Sequence, residues 1–396
     1  MSDWLIQEHI NVFIEVMPAL IYLLQNYKNL NQKKIFLDEP KILILNLIQD
    51  FISILRGVFY LCRMKILIIR FSSIGDIVLT SPVVRCLKKQ IQAEIHYLTK
   101  KSFGSIVRSN PYIDKVFSFE KDIAEVINDL TSEQYDCVID LHKNLRSFRV
   151  RQALGIKTYS FNKLNIEKWM MVNLKLNWLP NKHIVDRNLA TVVPLNIVND
   201  GAGLDYFIPE KDEVNISDIG REYDFSIPNS QYIAFVIGAA HATKRLPVEK
   251  IIDICNNIQL SVILLGGKDD FDNGELIASK STGYALNLCG KLNLNQSASI
   301  VKQAHKVITH DTGLMHIAAA FRKNIISVWG NTIPEFGMYP YLPKTSQSDK
   351  SMNEVVEVKG LSCRPCSKIG YDKCPKSHFK CMQMIDIEAV AILANR

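Results

Sequence analysis

From Met64 onward, short apolar runs alternate with stretches of helical character, and this alternation limits the possible folds more than any other feature of the chain. Each run is four to seven residues long and ends at a polar or glycine-containing turn. Such runs, separated by helices, are typical of βαβ units and of a mostly parallel sheet. The pattern predicts strands over residues 65–70, 94–98, 135–141, 232–237, 261–265, 306–309 and 324–329.

The predicted strands form two series, one before and one after a polar stretch. That stretch, residues 210–230, is rich in Asp, Glu, Pro, Asn and Ser, and we predict that it is an interdomain linker. We therefore expect an α/β protein with two domains of similar size that face each other across a cleft. The predicted domains are 64–225 and 226–345, followed by a cysteine-rich segment and a C-terminal helix over 346–396. The predicted helices within them include 74–90, 247–257 and 312–321.

Residues 1–63 precede the alternating pattern and are expected to be an N-terminal extension, with Met64 as a candidate native start. Residues 41–62 are apolar, but Asn46, Asp50 and Arg56 interrupt them, so we do not predict a membrane-spanning helix. An amphipathic helix on a membrane surface is the alternative. The first eight residues lack a basic signal-peptide region, which favours the reducing cytosol.

The composition excludes a mainly disordered or collagen-like chain. Hydrophobic residues make up 47% of the 396 residues and charged residues 22%. The 47 Lys and Arg against 40 Asp and Glu give a net charge of +7. So small an excess does not indicate nucleic acid, but it suits an acidic small molecule or an anionic membrane face.

Four loops follow predicted strands, where open α/β sheets bind their ligands. The first is Ser72-Ser73-Ile74-Gly75-Asp76, in which Gly75 permits a tight turn and the hydroxyl and amide groups can hold an anion. Asp76 lies at a predicted helix start, either as a functional carboxylate or only as a cap. The spacing is neither G-x-G-x-x-G nor a P-loop, which disfavours those two nucleotide folds.

The other three loops belong to the second series. In residues 310–316, the amides of Thr312, Gly313 and Leu314 could cradle a diphosphate, or the turn could simply cap a helix above a buried His316. His310, His316 and Asp311 could also resemble a metal set, but this is disfavoured because a catalytic metal site usually needs a third firm ligand. In residues 238–245, Lys244 or Arg245 could neutralise a phosphate, and in residues 266–270 an acid could bind ribose hydroxyls. A solvated basic loop and ordinary surface acids are the alternatives.

Five runs of the chain resemble, in order and spacing, the family 9 glycosyltransferases. They are MKILIIRFSSIGDIVLTSPVV, YDCVIDLHKNLRS, GAAHATKRLP, LLGGKDD and HDTGLMHIAAA. This family comprises the ADP-heptose:lipopolysaccharide heptosyltransferases of Gram-negative bacteria. The resemblance covers the chain from about Met64 onward. It implies a GT-B architecture of two Rossmann-like domains, with the acceptor on the first, the nucleotide sugar on the second, and a C-terminal helix that packs back on the first.

The resemblance also implies roles for individual residues. Asp76 corresponds to the general base, with Ser72, Ser73 and Gly75 near the reaction centre. Lys244 corresponds to the lysine that contacts the diphosphate, and Asp269 to the acid that holds the ribose. The diphosphate and heptose would be held by Asp311, Thr312, Gly313, Leu314 and His316.

The acceptor loop departs from the family pattern. Relatives often have D-x-Q-G-x-x-K-S, whereas His142 and Lys143 here replace the Gln-Gly pair. The resemblance therefore implies acceptor contacts from His142, Lys143, Asn144 and Arg146, but it leaves the identity of the acceptor open.

The function implied by the resemblance is inverting transfer of heptose from ADP-heptose to the lipopolysaccharide inner core, onto Kdo or heptose. Catalysis would need no cofactor, because a cation and a helix dipole can stabilise the leaving ADP. The expected location is cytoplasmic, with peripheral contact with the inner membrane, and no nucleic-acid partner is expected. Two alternatives stay open: the same fold moving another sugar from another nucleotide, and a non-catalytic nucleotide-sugar-binding module.

Four cysteines crowd into one basic stretch near the C-terminus: Cys363, Cys366, Cys374 and Cys381. Four close cysteines fit a tetrahedral thiolate site for structural zinc, and neighbouring cations favour thiolates, but the spacing is not that of a standard C-x2-C…C-x2-C knuckle. Reduced or disulfide-forming thiols and an iron–sulfur centre are the alternatives. The other five cysteines are scattered among apolar neighbours and are expected to be inert.

Overall fold

The computed structural model describes residues 63–282, 285–346 and 352–396. The extension predicted over the first 63 residues therefore lies, apart from Arg63, outside the described residues. Met64–Arg396 forms one compact unit that contains two parallel sheets. No helix in the described ranges is long and apolar enough to cross a membrane.

The first sheet has five parallel strands in the order β3-β2-β1-β4-β5. The strands are β1 Lys65–Ile69, β2 Glu94–Lys100, β3 Lys115–Phe119, β4 Cys137–Asp140 and β5 Thr158–Ser160. The helices of this half of the chain are α1 Ile74–Val78, α2 Ser81–Ile91, α3 Ala124–Ser132, α4 Leu145–Leu154, α5 Asn165–Asn173, α6 Ile184–Leu189 and α7 Ile216–Glu222.

The second sheet has six parallel strands in the order β11-β10-β9-β6-β7-β8. Its strands are β6 Tyr232–Val236, β7 Ser261–Leu265, β8 Ala285–Asn287, β9 Lys306–His310, β10 Asn324–Trp329 and β11 Asn353–Glu357. The remaining helices are α8 Val248–Asn256, α9 Phe271–Lys280, α10 Leu294–Gln303, α11 Gly313–Ala320, α12 Lys380–Gln383 and α13 Ile387–Asn395. The predicted α/β fold with two parallel sheets is confirmed.

Every strand that lies inside a sheet was predicted, and all four edge strands were missed. Interior strands such as β6 and β7 are buried along their whole length, so they carry continuous apolar runs. The edge strands β3, β5, β8 and β11 are partly exposed and contain polar residues. The pattern of apolar residues therefore identifies the interior strands of each sheet but not its edge strands.

Three predictions about segments differ from the structure. The single helix predicted over 74–90 is two helices, α1 and α2, because Pro82 starts a new first turn. The predicted linker 210–230 contains α7 and is bound to α10, with the backbone N–H of Val214 donating to Ser299 Oγ at 2.9 Å. The polar residues of this segment make contacts with α10, so the segment is not a flexible linker.

The resemblance implied that the last helix packs back on the first domain, but in the structure it does not. α13 packs on α8, β10 and β11 of the second domain. Its buried residues Val390 and Ala394 belong to the same apolar cluster as Ile254 of α8. Burial of this apolar face against the second sheet decides the position of the helix.

The two domains meet where α1 faces α11. A β-carbon added at Gly75 would lie 2.5 Å from Cδ2 of His316, and one added at Gly313 would lie 2.6 Å from Cγ2 of Ile74. No side chain fits between the two helix starts, so both positions require glycine. One apolar cluster runs through this contact and includes residues of both sheets, among them Ile68 and Val307.

We expect Gly313→Ala to lower the free energy of unfolding by about 1–3 kcal/mol, because the added methyl group would overlap Ile74. The matched control is Gly267→Ala, where the nearest atom to an added β-carbon is 3.7 Å away. Urea unfolding of the two variants and of the unaltered chain measures the difference. Equal stability of the two variants would contradict the tight contact.

Candidate active site

The site is built at the start of α1 and α11, which follow the central strands β1 and β9. In parallel α/β sheets, ligands bind beyond the carboxyl ends of the strands, where helix N-termini carry partial positive charge. Because α1 and α11 touch, the loops predicted from the sequence at these two points form one continuous surface. The structure thus brings Asp76 and the 310–316 loop together.

Asp76 is held ionised by its neighbours. Its carboxylate lies 2.6 Å from the guanidinium of Arg70 and accepts hydrogen bonds from Ser73 Oγ at 2.9 Å and Ser73 N–H at 3.2 Å. Burial opposes ionisation, but the charge of Arg70 and the bonds from Ser73 outweigh it and hold the pKa of Asp76 below its usual range. About a quarter of the side chain, 26%, is exposed. Asp76 therefore combines the capping role with access to the cleft.

Sequence reasoning missed Arg70. Its guanidinium also donates to the carbonyl oxygens of Ser72, at 2.9 Å, and Leu141. It thus joins the ends of β1 and β4 and fixes the loop that carries Asp76. The available signal was a charged residue that ends an otherwise apolar strand, KILIIR.

On the opposite side, Lys244 forms an ion pair with Asp311 at 2.6 Å, and both side chains are mostly buried. Thr332 Oγ1 donates to the same carboxylate oxygen at 3.0 Å. Thr312 caps α11, its Oγ1 accepting from the N–H of Met315 at 3.4 Å. The remaining first-turn amides, those of Gly313 and Leu314, have no partner within the helix, so this loop combines a cation with N–H donors. That combination suits a phosphate.

Two buried histidines border this loop. His316 packs beside Gly75, and burial lowers its pKa to about 4 although Asp311 and Asp76 oppose the shift. It is therefore neutral at pH 7, and its Nδ1 has no hydrogen-bond partner. His310 Nε2 accepts from the N–H of Leu246 at 3.0 Å, which gives it a structural role.

No metal set forms from the histidines of the 310–316 loop. Among the described residues, three ligand-type side chains with all ligand atoms within 4.8 Å occur only at Glu94, His96 and Glu133. That group lies at β2 and the end of α3, away from the 310–316 loop. Its carboxylates already form ion pairs, because Glu133 pairs with both Lys65 and Lys115.

The two acidic residues of the loop after β7 have different roles. Asp270 is buried, accepts from the N–H of Gly267 at 2.8 Å and pairs with Arg245 at 2.9 Å. Asp269 is exposed to solvent. Arg245 is therefore a structural residue, Lys244 is the phosphate candidate of its loop, and Asp269 is accessible to a ligand without being fixed by neighbours.

The predicted acceptor loop is organised by Asp140. This buried carboxylate accepts from the N–H groups of His142 and Lys143, at 3.0 and 2.7 Å, and from Ser147 Oγ at 2.8 Å. Asn144 caps α4, and Arg146 projects from its first turn into solvent.

His142 lies against Phe71, with ring centroids 4.7 Å apart. Burial, and then the charges of Arg70 and Lys163, lower the pKa of His142 to about 3. His142 is therefore a neutral polar group beside Asp76, rather than part of a basic surface.

Two lysines that the sequence analysis missed extend the positive charge of the site. Burial lowers the pKa of Lys168 to about 8, with contributions from Arg187, Lys368 and Arg70 and an opposing one from Asp76. Burial also lowers the pKa of Lys163, with contributions from Arg70 and Lys368 and opposing ones from Asp140 and Asp76. Lys163 lies between β5 and α5, and Lys168 lies in α5. Neither belongs to a motif, so no sequence signal distinguished them.

The chain is similar to proteins of one family. The model for glycosyltransferase family 9 (heptosyltransferase) matches residues 123–363. Lipopolysaccharide heptosyltransferase 1 of Campylobacter coli is 24% identical over 293 residues, which are 68% of this chain and 84% of that protein.

Two solved structures support the fold. A family 9 glycosyltransferase from Veillonella parvula superimposes with a TM-score of 0.66 at 20% identity, over 84% of this chain and 96% of that one. E. coli heptosyltransferase WaaC with ADP gives 0.56 at 18% identity, over 83% of this chain and 98% of that one. At these identities they establish the two-domain GT-B architecture and nothing about substrates.

Proposed function

The chain belongs to glycosyltransferase family 9, the heptosyltransferase family, and from that premise we propose that it transfers L-glycero-D-manno-heptose from ADP-heptose to the inner core of lipopolysaccharide. The observation that carries this proposal is the direct contact between the helix that bears Asp76 and the helix that begins at Gly313. A carboxylate and a phosphate-binding loop thus share one cleft.

The donor belongs on the second domain. Lys244, the first-turn amides of α11 and the dipole of that helix offer positive charge to a diphosphate. Lys244 would contact the phosphates while it keeps its ion pair with Asp311. Asp269, which is exposed, would bind the ribose hydroxyls. One relative has been solved with ADP, which supports ADP as the nucleotide.

The reaction requires one base and one stabilised leaving group. Asp76 would take the proton of an acceptor hydroxyl as its oxygen bonds to the anomeric carbon from the face opposite to ADP. The bond between that carbon and the diphosphate breaks, and ADP leaves with the electron pair. Lys244 and the α11 amides oppose the charge that develops on ADP, so catalysis would need no cofactor. Attack from the opposite face inverts the anomeric configuration.

The acceptor belongs on the first domain. Kdo carries a carboxylate, and the inner core carries phosphates, so it is attracted by Arg146, Lys163 and Lys168 around Asp76. His142 and Lys143 replace the Gln-Gly of relatives and would bind the acceptor sugar, together with Asn144.

We expect Asp76→Asn to lower kcat about 10²–10⁴-fold, the usual contribution of a general base, while the Kd for ADP stays within about twofold, since the amide keeps the shape of the carboxylate. Transfer assays and calorimetry measure the two quantities. Asp129→Asn, an exposed carboxylate on α3, is the matched control.

Three results would contradict the proposal. Full turnover of Asp76→Asn would mean that Asp76 only caps its helix. A calorimetric preference for UDP, GDP or CDP over ADP would favour the alternative in which the same fold moves another sugar. A chain that binds ADP and ADP-heptose but never releases ADP on adding acceptor would be a nucleotide-sugar-binding module.

We further propose that the protein works on the cytoplasmic face of the inner membrane. Support comes from α5 and the residues after it, where Ile166, Trp169 and Trp178 are 72%, 58% and 66% exposed. α5 buries none of its residues. Exposed tryptophans beside Lys163 and Lys168 suit an interface of anionic headgroups and acyl chains. The same end of the first domain holds the acceptor site, so a lipid-anchored acceptor would arrive at the cleft directly.

We expect the double variant Trp169→Ser, Trp178→Ser to bind vesicles of phosphatidylethanolamine and phosphatidylglycerol at least about tenfold more weakly. Two aromatic side chains that insert into the membrane contribute more than about 1.4 kcal/mol to the binding free energy, which corresponds to a tenfold change in affinity. The control is Ile392→Ser, an exposed apolar residue on α13 of the other domain. Flotation of the full chain measures binding. Equal binding of both variants would assign membrane contact to another part of the chain.

A further inference from the structure

Arg364, in the chain that follows β11, is almost entirely buried, and all three nitrogen atoms of its guanidinium are bound. Nε donates to Gly330 O at 2.6 Å, Nη2 to Thr332 O at 2.9 Å and Nη1 to Val358 O at 3.3 Å. Nη2 also pairs at 2.6 Å with Glu357, whose side chain is 11% exposed. A buried ion pair contributes little net stability, so the groups that it holds in place matter more than the pair itself.

The bonds of Arg364 join the ends of two neighbouring strands. Glu357 is the last residue of β11 and pairs in register with Trp329, the last residue of β10. Gly330 and Thr332 belong to the loop that follows β10. Because a guanidinium presents its N–H donors in a fixed planar fork, it sets the positions of both carbonyl oxygens relative to β11. The loop after β10 is thereby fixed at the carboxyl end of the sheet, where α/β proteins bind their ligands.

Thr332 connects this loop to the proposed phosphate site. Its Oγ1 donates at 3.0 Å to Oδ2 of Asp311, the same oxygen that accepts from Lys244 Nζ at 2.6 Å. The carboxylate therefore cannot rotate without losing one of these two bonds. A lysine ammonium has three N–H donors. Asp311 takes one of them, so the orientation of its carboxylate sets the directions of the others.

Gly330 reaches the same lysine from another direction. A β-carbon added at Gly330 would lie 2.7 Å from the carbonyl oxygen of Thr243, the residue before Lys244. The loop after β10 thus packs directly on the backbone that carries the lysine. Both routes from Arg364, one through Gly330 and one through Thr332, end at Lys244.

The cysteines near Arg364 do not account for these contacts. Among the described residues, no three sulfur atoms of Cys363, Cys366, Cys374 and Cys381 lie within 4.8 Å of one another. Structural zinc at these thiols stays a prediction from the sequence. The order of the loop after β10 follows from the bonds of Arg364 alone.

We propose that Arg364 is a positioning residue for the diphosphate of the donor. It does not touch the substrate. Through Thr332 and Gly330 it holds the Asp311 carboxylate and the backbone of Lys244, and so fixes where the lysine presents its N–H donors. A lysine side chain that is already ordered loses less conformational entropy when a phosphate binds. The identity of the donor rests on the proposed function, whereas the ordering of Lys244 can be tested with inorganic pyrophosphate.

Thr332→Val and Thr332→Ser test the route through the hydroxyl group. Valine keeps the shape of threonine without the hydroxyl, whereas serine keeps the hydroxyl. We expect Thr332→Val to bind ADP and pyrophosphate at least about fivefold more weakly, because the Asp311 carboxylate loses one of its two donors. Thr332→Ser should bind both like the unaltered chain. Adenosine, which has no phosphate, should bind all three proteins equally, as measured by calorimetry on the full chain.

Arg364→Lys tests the guanidinium itself. The ammonium keeps a positive charge opposite Glu357, but it cannot span the carbonyl oxygens of Gly330 and Thr332 in a fixed fork. We expect the same selective loss of affinity for ADP and pyrophosphate, with the affinity for adenosine unchanged. Should this variant fail to fold, the two Thr332 variants still decide the proposal, since they leave the buried ion pair intact.

Lys250→Met is the matched control. Lys250 Nζ donates to Ile385 O at 3.1 Å, so it also bonds a cation to a carbonyl oxygen in the second domain. This bond joins α8 to the chain between α12 and α13. Its loss should leave the affinities for ADP, pyrophosphate and adenosine unchanged.

The outcomes separate this proposal from the proposed function. Unchanged ADP and pyrophosphate affinity in Thr332→Val, an equal loss in Thr332→Val and Thr332→Ser, or an equal weakening of ADP and adenosine would overturn the positioning role. Weaker pyrophosphate binding in Thr332→Val alone, in a chain that prefers another nucleotide to ADP, would contradict the proposed function and leave the positioning role standing. A chain that binds neither ADP nor pyrophosphate would overturn both.

Discussion

The close approach of Gly75 and Gly313 determines what this molecule can do. Two parallel α/β domains can be joined in many ways, and most of them keep their helix N-termini apart. Here both helix starts carry glycine, so the backbones come close enough for His316 to pack against Gly75. The carboxylate of one domain and the turn that we propose for anion binding in the other are thus brought side by side. An apolar cluster shared by both sheets stabilises the contact.

The electrostatics of the site follow from this contact. Asp76 and Asp311 each have a dedicated cation, Arg70 and Lys244. His316, buried between the domains, is neutral, so it adds no charge that would compete with a substrate. In the proposed donor site, a diphosphate would therefore meet fixed charges that are already paired, with Lys244 shared between Asp311 and the phosphates. Such preorganisation costs little when the ligand binds.

The sequence predicted the two loops that the fold brings together, because strand ends, glycines and polar turns lie together along the chain. The 72–76 and 310–316 loops were found by their position after apolar runs, and the family resemblance assigned their roles. Arg70, Lys163 and Lys168 were missed, since their importance depends on charges that only the fold brings near. The last helix was misplaced for a similar reason: an apolar face in the sequence does not tell which sheet it covers. The edge strands were lost because partial exposure removes the apolar run.

The central claim is that Asp76 acts as the base opposite a donor held at α11, and that transfer proceeds in one step without a covalent intermediate. The anomeric configuration of the product tests it most directly. We would determine it by NMR after transfer of heptose from ADP-heptose to a Kdo acceptor by the full chain. The account predicts inversion relative to the donor. Retention of configuration would contradict it.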